Sequence, residues 1–462
     1  MDVIGIILAA GKGTRFKSET PKVIHKILGK PMAFFPYLAL KEGLKPKKIA
    51  FIVGHKADLV RKTFENLPEA VFFYQENPKG GTGDAVSKAL PLLEEHPEGY
   101  TVILNGDSPL ITAETLEKGF EKVKDENLDG LIFTTELQNP KGYGRIVRNQ
   151  RGEVVKIVEE KDASEEEKKI KEVNGGFYIF KTKPLIEALK ELKPSPVTGE
   201  VYLTDVVEIF AKKGLKVDTY KAPAEELLGV NDRIQQAEAE KILLRRKIEN
   251  LQSEGVTVRL PETVYIEWDA SVGKDTEIEP HAVIKGNTTI GENCLIGTGA
   301  VLENAKISDG VQILPYSFVS DSEIKSGAVV GPFARIRNDS VIGEKAEIGN
   351  FVEVKKTAFG GGSKAKHLAY VGDATVGRGV NIGAGVVFAN YDGINKHQTF
   401  VGDNTFIGSN SLLIAPIRLE DWSFVAGGSV VNKDVPKGAL AIGRAKLKVL
   451  ENKNPLLRKK TE

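Results

Sequence analysis

VIKGNTTIGENCLIGTGAVLENAKISDGVQILPYSFVSDSEIKSGAVVGPFARIRNDSVIGEKAEIGNFVEV, residues 283–354, repeats a large aliphatic side chain at six-residue steps. Ile284, Ile290, Ile296 and Leu302 keep the step, Ile307, Ile313 and Val319 resume it after a one-residue slip, and Ile324 to Val354 follow a second slip. No helix places every sixth residue on one face, and a simple strand would not carry the glycine that follows Ile290, Ile296, Ile342 and Ile348. The pattern predicts short strand segments joined by turns, three hexads closing one triangular coil, with coils stacked about 4.8 Å apart. That is a parallel β-helix. Its hand is open from periodicity, although the general rule favours right-handed crossovers. The count extends back through Ile278, Val272 and Ile266 to Leu260. It runs forward through Val376, Ile382, Phe388 and Ile394, then Val401, Ile407, Leu413, Leu419, Val425 and Val431.

Between Val354 and Val371 the count fails, over KKTAFGGGSKAKHLAY, Lys355 to Tyr370. This stretch reads as a loop expelled from the coil, and loops on rigid scaffolds often carry function. It holds His367 among Lys355, Lys356, Lys364 and Lys366, either solvated or a working imidazole. Cys294, the single cysteine, falls where the repeats place small inward residues such as Ala300 and Ala346, so it reads as a packed thiol.

Upstream, DRIQQAEAEKILLRRKIENLQ, residues 232–252, lacks Gly and Pro and has Asn231 or Asp232 available as N-cap. Ile234, Ala237, Leu244, Ile248 and Leu251 share one face, which predicts a linker helix of about 30 Å. The expected organisation is thus one domain at 1–231, the linker at 232–252 and the β-helix at 253–462.

The first domain alternates apolar runs with helix-like stretches. Val3 to Leu8, Ile49 to Val53, Val71 to Tyr74 and Thr101 to Leu104 are each followed by Gly, Asn or Asp, which predicts a largely parallel sheet covered on both faces. Ligands in such sheets sit beyond the carboxyl ends of the strands. There LAAGKGTRFKSETPKV, Leu8 to Val23, places Gly11 and Gly13 beside Lys12, Arg15 and Lys22. It is either a polyphosphate cradle or a tight turn with solvated charges. Gln75 and GGTGDAV, Gly80 to Val86, offer small residues against which a flat base could lie. Asn105, Gly106 and Asp107 end a strand; that Asp is either a turn residue or, beside a phosphate loop, a ligand for a hard cation, Mg²⁺, which takes few protein ligands.

With 64 Lys plus Arg against 63 Asp plus Glu, the 462-residue chain has no overall field for a polyanion, so nucleic acid is not expected as a partner. The run Val3 to Ala10 is too short to span a bilayer. One cysteine excludes an intramolecular disulfide framework and points to a cytoplasmic protein.

LAAGKGTR with PKV, the GTG loop, NGD, GYGRI at 142–146, VEEKDA at 158–163, VNGG at 173–176 and GVN at 229–231 resemble the family of bifunctional N-acetylglucosamine-1-phosphate uridylyltransferases and glucosamine-1-phosphate acetyltransferases. So does SKAKHLAY in the second half. The resemblance implies an α/β chain: a Rossmann-like nucleotidyltransferase domain with a mixed, mostly parallel sheet, a linker helix, and a left-handed parallel β-helix of hexapeptide repeats. It implies UTP contacts at Leu8, Ala9, Ala10, Gly11, Lys22, Gln75, Gly81, Thr82, Asn105, Gly106 and Asp107, with pyrophosphate handled by Arg15. Sugar contacts follow at Gly144, Glu159 and Asn174, and Mg²⁺ on Asp107 and Asn231. In the second half it implies His367 as proton acceptor and Arg335 and Lys355 on the sugar phosphate. Tyr370, Asn381, Asn390 and Tyr391 complete the surroundings, and Ala384, Ser409, Gly427 and Arg444 line an acetyl-CoA groove. A homotrimer is implied as well. The chain departs from the family at Gly427, where alanine is usual, and at Asp84 and Glu160, where histidine is. Two rivals share the domain pairing: a single-activity sugar-1-phosphate nucleotidyltransferase and a regulatory scaffold like certain translation initiation factor subunits.

Overall fold

The computed structural model describes residues 2–77, 79–454 and 456. Two compact units divide the chain between Leu243 and Leu244.

In the first unit the strand Val3–Ala9 lies between Lys48–Val53 and Tyr100–Asn105, parallel to both. Ala70–Tyr74 extends this parallel set. On the other side Glu172–Lys181 runs antiparallel to Tyr100–Asn105 and to Gly130–Glu136, and Val217–Lys221 ends the sheet parallel to the latter. The sheet is mixed, as the resemblance implied. Alternation along Val3–Ala9 sends Ile4 and Ile6 to one apolar cluster with Ile52, Ile103 and Phe180, and Val3 and Ile7 to another with Phe51, Val102 and Phe133. Both faces are therefore covered, and the sheet can open only at its strand ends. Because Leu8 is in register with Ile52 and Asn105, the loops after these parallel strands emerge together.

The second unit is a parallel β-helix. Tyr265–Ile266 pairs with Val283–Lys285, which pairs in turn with Val301–Glu303, each partner lying three strands further on, so three strands make one coil. One face forms an 11-stranded ladder, and the strands of the other two join in a 17-stranded sheet. The predicted inward positions from Ile266 to Val354, and Val376, Ile382, Phe388 and Val401 to Val431, are buried in one core.

Four expectations need correction. Leu260 is exposed, in a left-handed conformation ahead of the short helical turn Pro261–Thr263, and Val258 and Val264 fill the core there instead. Ile394 is 85% exposed, because residues after Asn390 leave the coil in a turn closed by Asp392, Asn395 and the Tyr391–Lys396 bridge. Lys355 to Tyr370, by contrast, is no expelled loop. Glu353–Phe359, Lys364–His367 and Tyr370–Val376 are ordinary ladder strands, with Phe359, Ala365 and Val371 pointing inward. The period was hidden by a five-residue step to Phe359 and by alanine in an aliphatic position. Finally, the helix Arg233–Ser253 leaves Ile234 and Ala237 exposed and buries Ala239, Leu243, Ile248 and Leu251. Its first half adds polar contacts to the buried Ala239 and Leu243, Glu240 accepting from the Leu28 N–H and Gln236 donating to the Lys26 carbonyl.

Candidate functional sites

At the carboxyl edge of the sheet lies a cleft of about 450 Å³. Leu8, Ala10, Gly11, Lys22, Gln75, Gly81, Thr82, Asn105, Asp107 and Glu159 line it, together with Glu200 and Tyr202. Ala9 stays buried in its strand, and the Gly106 N–H donates to the Leu8 carbonyl, 2.9 Å away, tying the two loops together. The glycine-rich loop turns through Gly13 at φ +59°, where a Cβ would stand 2.7 Å from the Lys22 Cβ, so only glycine lets Lys22 pack beneath it.

Lys22 makes an ion pair with Asp107 and also donates to Asn231 Oδ1 at 3.2 Å, to which Arg15 donates at 2.9 Å. Residues far apart in sequence thus meet in one knot of two cations, one carboxylate and one amide. The Val230 N–H donates to the Asp107 carbonyl at 2.8 Å, which holds the two oxygen-bearing loops in step. Asp107 and Asn231 offer two hard oxygens to a single cation position, a set suited to an ion that draws its remaining ligands from phosphate and water. Among the described residues no group of three or more His, Cys, Asp or Glu could hold a metal.

Deeper in the cleft, Thr204 donates to Glu159 Oε1 at 3.1 Å. Burial pushes the Glu159 carboxyl above its usual range. The Asn174 N–H donates to the Gly144 carbonyl at 2.9 Å, and a Cβ on Gly144 would lie 3.6 Å from Glu159 Oε1. The three predicted sugar residues are therefore neighbours. Glu200, Tyr202 and Thr204 were missed, and no motif in VYLTD marked them. Gly81, at φ +86°, lets the Val201 carbonyl approach so closely that a Cβ would stand 2.4 Å from it, which brings that segment to the cleft.

The second site is assembled by stacking. His367 is in register with Asn350, and its Nδ1 lies 3.0 Å from Asn350 Oδ1. Coil by coil along the same edge come Ala384, whose carbonyl accepts from the Asn410 N–H, then Ser409, whose carbonyl accepts from the Gly428 N–H, then Gly427. Arg444 donates to the Gly427 carbonyl at 2.5 Å. At a neighbouring corner Lys355, Asp373 and Asn390 are all buried. Lys355 pairs with Asp373 at 3.3 Å, Asn390 donates to the same carboxylate, and the Tyr370 hydroxyl lies 3.4 Å from the Asn390 amide. Although burial works against its ammonium, contact with Lys396 and with Asp373 holds Lys355 above its usual pKa; Lys396, beside that charge, is held down. Lys396 and Asp373 were missed, since neither VGDAT nor INKH carries a motif that marks them.

Arg335 lies on the ladder above Glu353 and Tyr370, exposed, with its guanidinium over the Phe318 ring. Asn381 stands on another face, between Lys364 and Phe406, and the exposed Tyr391 donates to the Gly393 carbonyl. Cys294 is buried, its thiol pushed up in pKa by burial, as a packed side chain should be.

Comparison with known proteins matches separate stretches of the chain to different families. A nucleotidyl transferase family model matches residues 4–224, a GMPPB C-terminal domain model 266–360 and a model of the hexapeptide repeat of succinyl-transferase 398–433. Bifunctional protein GlmU of Aquifex aeolicus is 52% identical over 97% of this chain and 98% of its own length. The protein of the same name from Clostridioides difficile is 45% identical over 98% and 97%, and that of Acetivibrio thermocellus 44% over 100% and 99%.

Proposed function

The chain belongs to the GlmU family of bifunctional proteins, and on that premise we propose how its residues divide the family's two reactions. The enzyme moves an acetyl group from acetyl-CoA to glucosamine 1-phosphate. It then moves a uridylyl group from UTP to N-acetylglucosamine 1-phosphate, releasing pyrophosphate and giving UDP-N-acetylglucosamine.

Uridylyl transfer belongs to the sheet-edge cleft. The observation that carries this is the knot of Lys22, Arg15, Asp107 and Asn231 beside the glycine-rich loop. A sugar phosphate oxygen attacks the α-phosphorus of UTP, the bond to the bridging oxygen breaks, and pyrophosphate leaves. No protein base is required, since the attacking phosphate is already largely dianionic near neutrality. Lys22 and Arg15 neutralise the charge crowded at the reacting phosphates, and Glu159, Asn174 and Gly144 hold the sugar. Asp107 and Asn231 would hold Mg²⁺, which fits their two oxygen donors and adds positive charge at the triphosphate.

Acetyl transfer belongs to the His367 edge. The amine of glucosamine 1-phosphate attacks the thioester carbonyl, a C–N bond forms, the C–S bond breaks, and coenzyme A leaves. Neutral His367 takes the amine proton, with Asn350 holding its ring. Lys355, Arg335 and the missed Lys396 receive the phosphate, while Ala384, Ser409, Gly427 and Arg444 line the cofactor groove. A homotrimer is supported by an uncovered ladder beside His367. Tyr316, Phe333 and Phe351 stack ring on ring, all half-exposed, and the adjoining Leu368 is 62% exposed. A cytoplasmic location agrees with the single buried cysteine. Separately, no helix among the described residues is long and apolar enough to cross a membrane.

The test is direct. Purified protein should release pyrophosphate from UTP with N-acetylglucosamine 1-phosphate only when Mg²⁺ is present, and free thiol from acetyl-CoA with glucosamine 1-phosphate. Pyrophosphate release undiminished by chelator would reject the Mg²⁺ assignment, and a stable active monomer by light scattering would reject the trimer.

A further inference from the structure

Gln75 closes the base end of the cleft, and its amide is oriented. It follows the strand Ala70–Tyr74, is 7% exposed, and lines the cleft beside Gly81, as Thr82 does. Its Nε2 donates to the Gly81 carbonyl at 3.0 Å and to Asp84 Oδ2 at 2.8 Å. Both hydrogens of the amide are thereby used. Its Oε1 accepts no hydrogen bond from the described residues, yet it is not sealed from solvent. It is left as an acceptor at the cleft wall.

Asp84 and the Gly81 carbonyl together set this orientation. A primary amide can present either its oxygen or its nitrogen, and the two ends are nearly the same size. The Gly81 carbonyl and the Asp84 carboxylate only accept, so both require the nitrogen end. A flipped amide would set oxygen against two oxygens and leave buried polar groups unpaired. Asp84 is itself anchored from the far side, its Oδ1 paired with Lys88 at 3.1 Å.

We propose that Asp84 is the positioning residue that sets base choice: by holding the Gln75 amide nitrogen, it fixes Oε1 toward the cleft as an acceptor. The cleft then takes a pyrimidine whose ring nitrogen carries a hydrogen, as uracil N3 does. It rejects one whose ring nitrogen is a bare acceptor, as in cytosine. This rests on the cleft being the UTP site, and the wild-type measurement tests that separately.

The experiment compares kcat/KM for UTP and CTP, with N-acetylglucosamine 1-phosphate as acceptor, in wild type, Asp84→Asn, Asp84→Glu and Lys88→Ala. A carboxamide at this position can donate as well as accept, so Asp84→Asn removes one of the two acceptors that require the nitrogen end; the Gly81 carbonyl alone holds the Gln75 amide less firmly, and the amide can turn and offer nitrogen to cytosine. The preference for UTP over CTP should fall by about tenfold or more, the scale of one mispaired polar contact in a closed site. The change should lie mainly in KM for CTP. Asp84→Glu should restore part of the preference. Lys88→Ala, which leaves the Asp84–Gln75 contact in place, should keep it. If wild type does not use UTP, the site assignment fails. If wild type uses UTP and Asp84→Asn keeps the full preference at normal activity, the positioning role is wrong. An equal loss with both nucleotides would also overturn it, since that is what a merely structural role predicts.

Discussion

The two sites gather their residues by opposite means. In the sheet unit, Arg15 and Lys22 come from one loop and Gln75, Asp107, Glu159 and Asn231 from four others, and they meet at the edge where the central parallel strands end. In the β-helix, His367, Ala384, Ser409 and Gly427 come from the same point on successive coils, brought together by a repeat. Topology assembles the first, and translation the second. The consequence is a difference in sensitivity. A loop residue can be exchanged with little effect beyond its own site, whereas a coil residue belongs to a core that continues through its neighbours.

The sharpest way to break this comparison is at His367, the proposed proton acceptor, which sits exposed on the coil edge. His367→Ala should cut acetyl transfer by roughly 10² to 10⁴, the span of a lost general base, and leave uridylyl transfer unchanged. The acidic limb of its pH–rate profile should vanish with the imidazole. Unchanged turnover with a raised KM for glucosamine 1-phosphate would instead make His367 a phosphate ligand.

Next in size is Asp373. Removing its carboxylate leaves the buried Lys355 ammonium facing Lys396 alone, so Asp373→Ala should cost about 3–5 kcal/mol in thermal or denaturant unfolding of the β-helix unit. A neutral result would mean that Lys355 swings out to water. Ile382→Ala empties a core position of a coil and should cost about 2–5 kcal/mol, while Ile394→Ala, on the same count in sequence but exposed, should stay within about 0.5 kcal/mol. Equal costs at the two would show that Ile394 is covered in the assembled protein.

That last pair also marks how far the sequence could be read. Hexad spacing located the large apolar residue of nearly every coil face in the second unit, while Val311, Val352, Val380 and Val386, buried between those positions, fell outside the count. It failed at Leu260 and Ile394, which the count includes but the core does not, and across 355–370, where Phe359 and Ala365 keep the coil while the count breaks. In the first unit the strands and the cleft's glycine-rich-loop residues were legible because glycine, cations and a strand-end Asp stand out by their types. Glu200, Tyr202 and Thr204 were not, because they reach the cleft only through the fold and resemble any surface turn. Asp373 and Lys396 escaped for the same reason, since their meaning lies in the buried Lys355 beside them.

The central claim is that one chain carries two separately built transferase sites, and it is tested most directly by measuring both half-reactions of Asp107→Asn in one preparation. The substitution keeps volume while removing the carboxylate that pairs with Lys22. Uridylyl transfer should fall by about 10² to 10³, the scale of a lost electrostatic contact at a reacting phosphate, with acetyl transfer at the wild-type rate. Equal loss of both activities in a folded protein would contradict the account.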